Sequence, residues 1–130
     1  MPQSGRVLRP VIFACATAWA AALLPEPAAA AEGAALYKKH CKVCHTVEKG
    51  GAKRQGPNLW GVIGRTAGKV DGFPYSKGLK SADWAWDSEI MDKWLEKPKG
   101  VVSDTYMIYR QKDPEVRRKI IAYLGTRKDE

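Results

Sequence analysis

Cys41-Lys42-Val43-Cys44-His45 is the stretch on which the reading of this chain turns. Two cysteines separated by two residues, with a histidine directly after, have the spacing at which two thiols and one imidazole can grip a single haem. On one turn of helix both sulfurs can reach the porphyrin vinyl groups and become thioethers, while the imidazole comes under the iron as an axial ligand. A bare Cys-x-x-Cys also serves as a thiol–disulfide redox pair, as half of a zinc site or as a small structural disulfide. The terminal histidine favours haem.

Upstream of the motif lies an export signature. Arg6 and Arg9 form a positive n-region, Val11 to Leu24 is an apolar run, and Pro25-Glu26-Pro27 breaks it before Ala28-Ala29-Ala30-Ala31-Glu32. Small residues at 29 and 31 satisfy the A-x-A rule, so the expected division is a cleaved secretory signal peptide over 1–31 and one domain over 32–130. The apolar run is shorter than the roughly twenty residues that span a bilayer. Cys15 is expected to leave with the signal. Export places Cys41 and Cys44 in an oxidising compartment, the periplasm, where free exposed thiols tend to pair unless something else consumes them. Attached haem consumes them, and a buried porphyrin adds apolar surface to a domain too short for a large core.

The whole chain has 22 basic and 14 acidic residues; without Arg6, Arg9 and Glu26 the counts become 20 and 13, a formal charge of +7. Charge of this size steers association with an acidic protein face and makes the on-rate salt-dependent. It does not indicate nucleic acid, because the lysines and arginines are scattered along the chain and export removes the protein from that partner.

Downstream the pattern is helices and loops, with no convincing strand. Residues 33–45 put Tyr37, Cys41 and Cys44 on one face at helical spacing, which predicts a helix that delivers the cysteines. From Gly50 to Pro74 the chain is rich in glycine and proline and reads as loop, of a length that usually wraps something. Asp87 or Ser88 caps the next helix, which runs to about Lys97 and stops at Pro98, with Ile90, Met91, Trp94 and Leu95 facing inward. Asp113-Pro114 opens the last helix, Gly125 closes it, and Val116, Ile120, Tyr123 and Leu124 mark its buried face.

Taken together, these residues from Gly33 to Leu124 resemble the class I cytochromes c, in particular the mitochondrial and bacterial c2-type group. The resemblance is carried by Cys41 to Gly51, Gly56-Pro57-Asn58-Leu59, Gly64-Arg65, Tyr75-Ser76, Trp86, Leu95-Glu96-Lys97-Pro98-Lys99, Thr105-Tyr106-Met107-Ile108 and Ile121-Ala122-Tyr123-Leu124. It implies an all-α single-domain cytochrome c fold packed around one haem c, attached through Cys41 and Cys44. It implies His45 and Met107 as the axial ligands, sixty-two residues apart. A thioether ligand stabilises ferrous over ferric iron, so such a site suits outer-sphere electron transfer. The resemblance also implies that the Pro57 carbonyl accepts a hydrogen bond from the His45 imidazole, and that Arg65, Tyr75, Ser76 and Trp86 bond the haem propionates. Gly33, Tyr37, Ile120 and Tyr123 match the contact between first and last helices, and Tyr109 an aromatic position beside the haem edge. Met91 is expected in the core and His40 at the surface.

Four positions depart from the family pattern. Ser103-Asp104 stands where Pro-Gly usually precedes the ligand loop, which predicts a less restricted loop and a more easily displaced Met107. Leu79 replaces a polar residue of mitochondrial members, and Tyr106 replaces a lysine beside the ligand. Docking is therefore expected to lean on Lys39, Arg54, Lys99, Arg110 and Lys112. The function implied is that of a monomeric periplasmic electron carrier, not an enzyme. Its partners would be redox complexes with acidic docking faces: the bc1 complex, cytochrome oxidase, a photosynthetic reaction centre, or a periplasmic dehydrogenase or reductase.

Overall fold

A computed structural model describes residue 1 and residues 26–130. Apart from Met1 and residues 26–31, the expected signal segment lies outside the described residues. Among the described residues five helices follow in order: α1 (Glu26–His40), α2 (Lys77–Lys80), α3 (Ser88–Glu96), α4 (Pro98–Val101) and α5 (Pro114–Gly125). Among the described residues there is no strand, only an isolated antiparallel bridge between Thr66 and Ala85. The all-α class expected from the sequence is the observed one.

Local chemistry sets the helix ends. Asp87 accepts a hydrogen bond from Ile90 N at 2.7 Å, and Asp113 accepts from Glu115 N at 2.9 Å and Val116 N at 3.4 Å, each satisfying amides that the first turn leaves without partners. Pro114 sits where its missing N–H costs nothing. The helix expected over residues 33–45 has different limits. It begins at Glu26, so the expected cleavage point after Ala31 falls within it, and it ends at His40, before the cysteines. Cys41 N and Lys42 N both bond Tyr37 O, at 2.8 and 3.1 Å; the second is an i to i−5 bond, wider than the helical i to i−4, and takes the chain out of the ladder. Two further short helices are additions to the sequence reading, α2 in a stretch it left unassigned and α4 where it indicated a stop; Pro98 ends α3 and opens α4 at once.

Packing of α1 against α5 closes the domain. A Cβ on Gly33 would stand 2.1 Å from Lys119 O and 2.7 Å from Tyr123 Cβ, so only glycine admits this approach. The rings of Tyr37 and Tyr123 lie 5.6 Å apart, and Glu32 pairs with Lys119 on the same seam. The expected contact among Gly33, Tyr37, Ile120 and Tyr123 is thus in place around fully buried Ile120. On α5, Ile120 and Leu124 are buried as expected, but Val116 and Tyr123 are half-buried, and the helix buries Arg117 as well. Arg117 sends Nε to Asp92 Oδ1 on α3 at 2.7 Å and Nη1 to the carbonyls of Gln111 and Lys112, both at 3.0 Å. An unpaired guanidinium there would be costly; paired, it fastens α5, α3 and the chain leading into α5.

Candidate haem site

Both cysteines open onto a cavity of about 510 Å³, whose apolar wall includes Leu59, Val62, Leu79, Trp86, Met91 and Leu95. They sit in the turn just after α1, where Cys44 N and His45 N both return to Cys41 O at 3.0 and 2.9 Å. That turn presents two free, unpaired thiols and one imidazole to the same space. Burial pushes the Cys41 thiol up to about 12, with Cys44 adding to the shift, so as a thiol it is a poor metal-binding thiolate. No group of three or more histidine, cysteine or carboxylate side chains among the described residues could hold a metal ion.

His45 is held from three sides. Its Nδ1 lies 2.8 Å from Pro57 O; since a carbonyl only accepts, Nδ1 carries the proton and Nε2 keeps its lone pair for a metal. The Tyr37 hydroxyl donates to His45 O at 2.9 Å. A Cβ at position 56 would stand 2.2 Å from His45 Cε1, so Gly56 is the residue that lets the loop lie flat on the ring. Burial holds the imidazole below its ordinary pKa, against the opposing pull of the Pro57 bond and with a lesser contribution from Arg65. The ring is therefore neutral at neutral pH, as ligation requires.

Met107 borders the same cavity and receives a hydrogen bond on Sδ from the Trp94 indole at 3.0 Å. A thioether sulfur has two lone pairs, and one bond from Trp94 leaves the other for a metal. Periodicity alone places Trp94 no further than on the inward stripe of its helix. The available signal was the indole N–H, which needs a partner when buried.

The remaining expected residues gather here with differing commitments. Arg65 lines the cavity and is half-buried, but its two terminal nitrogens donate to Trp60 O at 2.9 Å and Asn58 O at 3.0 Å. Burial lowers its pKa, with Tyr75 opposing. Trp86 and Arg65 are joined through the backbone by Trp86 N to Arg65 O at 2.9 Å, and the Trp86 ring meets those of Trp84 and Trp94 nearly edge-on at 4.8 and 5.0 Å. The Tyr75 hydroxyl accepts from Val70 N at 3.3 Å, which leaves its own proton free. Ser76 gives its single hydroxyl proton to Asp104 Oδ1 at 3.0 Å, so in this arrangement that proton is not available to a propionate. His40, expected at the surface, is half-buried at the cavity mouth with its ring 5.9 Å from that of Tyr109. Lys39, Arg54, Lys99, Arg110 and Lys112 are all exposed, as are the apolar Val43, Tyr106 and Ile108.

The loop before Met107, expected to be less restricted with Ser103-Asp104 than with Pro-Gly, carries a tie of its own. Asp104 crosses to residues 76–78, taking the Ser76 hydroxyl and, on Oδ2, Gly78 N at 2.9 Å. A side-chain bond restrains the segment that lacks the proline.

This donor set fits a haem: two thiols, a neutral imidazole and a thioether border one largely apolar space with half-buried Arg65 and buried Tyr75 on its wall. Residues 30–128 match the family described as cytochrome c. The chain is 41% identical over 95 residues to cytochrome c of Chlamydomonas reinhardtii, covering 72% of this chain and 85% of that one. It is 38% identical over 110 residues to cytochrome c-550 of Novispirillum itersonii, covering 76% and 98%. A cytochrome c homolog of Bradyrhizobium diazoefficiens is 41% identical over 106 residues, covering 79% of this chain and 56% of the relative.

Proposed function

The chain belongs to the cytochrome c family, and on that premise we propose that it is an exported, monomeric one-electron carrier whose iron is held by His45 and Met107. Proteins of this family are electron carriers rather than enzymes and hold one haem c covalently through two cysteines, here Cys41 and Cys44. The haem supplies a one-electron ferric/ferrous couple.

What carries the ligand assignment is that the unprotonated His45 Nε2 and the Met107 sulfur border the same cavity as both thiols. His45 is fixed in orientation by Pro57 and Gly56, and Met107 by Trp94, so neither side chain must reorganise when an electron arrives. Two protein ligands leave no position for a substrate. Arg65, Tyr75 and Trp86 would surround the propionates, with Arg65 offsetting the cost of a buried carboxylate. Ser76 would join them only by releasing Asp104.

Exposed Lys39, Arg54, Lys99, Arg110 and Lys112 would meet acidic redox partners, with exposed Tyr106 and Ile108, which border the cavity, as apolar contacts. Such docking is transient, so electron delivery is followed by release. Residues 1–31 would be removed on export, leaving the domain at 32–130 in the periplasm.

An absorption spectrum and redox titration of the exported product test this directly. A narrow reduced α-band that survives acid–acetone extraction, with a methionine–iron charge-transfer band in the ferric form that Met107→Ala removes, is the expected result. A high-spin ferric form that binds carbon monoxide readily once reduced overturns the ligand pair. Intact mass of the exported protein should begin at Glu32, and Lys99→Glu with Arg54→Glu should flatten the salt dependence of electron transfer.

A further inference from the structure

We propose that Asp104 is the positioning residue of the Met107 loop: its carboxylate ties the loop to residues 76–78 and so keeps the Met107 sulfur turned into the cavity. The inference rests on the assignment of Met107 as a ligand.

Met107 lies in the stretch between α4 and α5, where no helical ladder constrains the backbone. Just before it, the contacts are local: Thr105 N to Val102 O at 3.2 Å and Met107 N to Thr105 Oγ1 at 3.3 Å. Among the described residues, the hydrogen bonds that reach from residues 102–106 to a distant part of the chain are the two made by Asp104. They span 28 residues to Ser76 and 26 to Gly78. Both ends are firmly seated. Ser76 is 2% exposed and its hydroxyl also accepts from Leu79 N, while Thr105, next to Asp104, is 3% exposed.

Gly78 is fitted to this bond. A Cβ there would stand 2.5 Å from Asp104 Oδ1 and 2.7 Å from Val102 Cγ1, and its φ is not positive, so a methyl at this position would push the Asp104 carboxylate and the Val102 side chain aside rather than strain the backbone. Proline restricts a loop through its ring, whereas here a carboxylate bridging two segments removes freedom by cross-linking them. The restraint acts on the N-terminal side of Met107. Trp94 acts on the sulfur itself and the bond from Gln111 N to Leu95 O, at 2.7 Å, on the far side.

The test uses the haem-loaded protein and three variants, Asp104→Ala, Asp104→Asn and Gly78→Ala. Ferric protein is titrated with imidazole, which competes with methionine for the iron, and loss of the methionine charge-transfer band is followed. Asp104→Ala is expected to raise imidazole affinity about three- to tenfold, the range of one or two modest hydrogen bonds. Asp104→Asn, which keeps an acceptor for Gly78 N–H, should fall between. Gly78→Ala should match Asp104→Ala and add little to it in the double variant. Unchanged imidazole affinity in both Asp104→Ala and Gly78→Ala overturns the proposal, even where unfolding midpoints fall. If the wild-type protein lacks the methionine band, the ligand assignment itself fails. The tether is then judged by hydrogen exchange at the Gly78 amide: protection lost in Asp104→Ala supports it, and an unprotected amide in the wild type refutes it.

Discussion

The Trp94 indole N–H points at the Met107 sulfur across 3.0 Å, joining α3 to a loop residue thirteen positions further along the chain. A donor on one lone pair draws electron density from the sulfur, so with Met107 as the proposed ligand its donation to ferric iron would be weakened more than to ferrous iron.

Trp94→Phe should therefore lower the reduction potential. A net hydrogen bond of roughly 0.5–1.5 kcal/mol, converted at about 59 mV per tenfold for one electron, sets a ceiling of about 60 mV on the shift. Redox titration measures it; a rise in potential would contradict the assigned direction.

Gly56→Ala should be among the most damaging small substitutions in the domain. The added methyl meets the His45 ring at 2.2 Å, so ring or loop must move and the bond to Pro57 suffers. Overpacking of this kind costs about 1–3 kcal/mol, readable from denaturant midpoints. Haem attachment in the expressing cell should fall in parallel.

Asp92→Ala should destabilise the fold without touching the haem spectrum. Arg117 has a side chain only 8% exposed and loses its one carboxylate partner, whereas Asp92 is partly in water, which moderates the loss. A cost of about 1–3 kcal/mol is expected for leaving a hydrogen-bonded charge unpaired. Arg117→Met in the same background should recover part of it, because the buried charge is then gone.

Tyr37 gives the fold an alkaline limit. Its phenol is held above the ordinary tyrosine range, first by burial and then by neighbouring Cys41 and Glu48, while it donates to His45 O. A folded-state pKa above the unfolded value means that its contribution is complete below about pH 10 and is lost as pH rises beyond that, with a slope approaching about 1.4 kcal/mol per pH unit. In Tyr37→Phe, stability measured between pH 9 and 11 should be lower at the start and should fall less steeply.

Much of the site was legible because it rests on short-range chemistry. Cys41, Cys44 and His45 are adjacent, the caps Asp87 and Asp113 act within three residues, and the α1–α5 contact at Gly33 was implied by the family resemblance. The end of α1 was misplaced by several residues because Tyr37 O takes two amides at once, and periodicity in side chains carries no record of which carbonyl an amide chooses. The bonds from Asp104 to Ser76 and Gly78 were not legible for a related reason. Considered alone, a Ser-Asp pair is simply a more flexible substitute for Pro-Gly.

By itself, then, the sequence determined the cofactor, its two points of attachment and the helical class, since each depends on residue types at fixed local spacings. The tertiary structure decided which donors converge. Trp94 finds Met107, Asp104 finds Ser76 and Gly78, and Arg117 finds Asp92, across separations of 13, 28, 26 and 25 residues. The physical reason is that a buried or half-buried polar group must be matched in space, and the partner that satisfies it is set by how the helices and loops pack rather than by nearness along the chain.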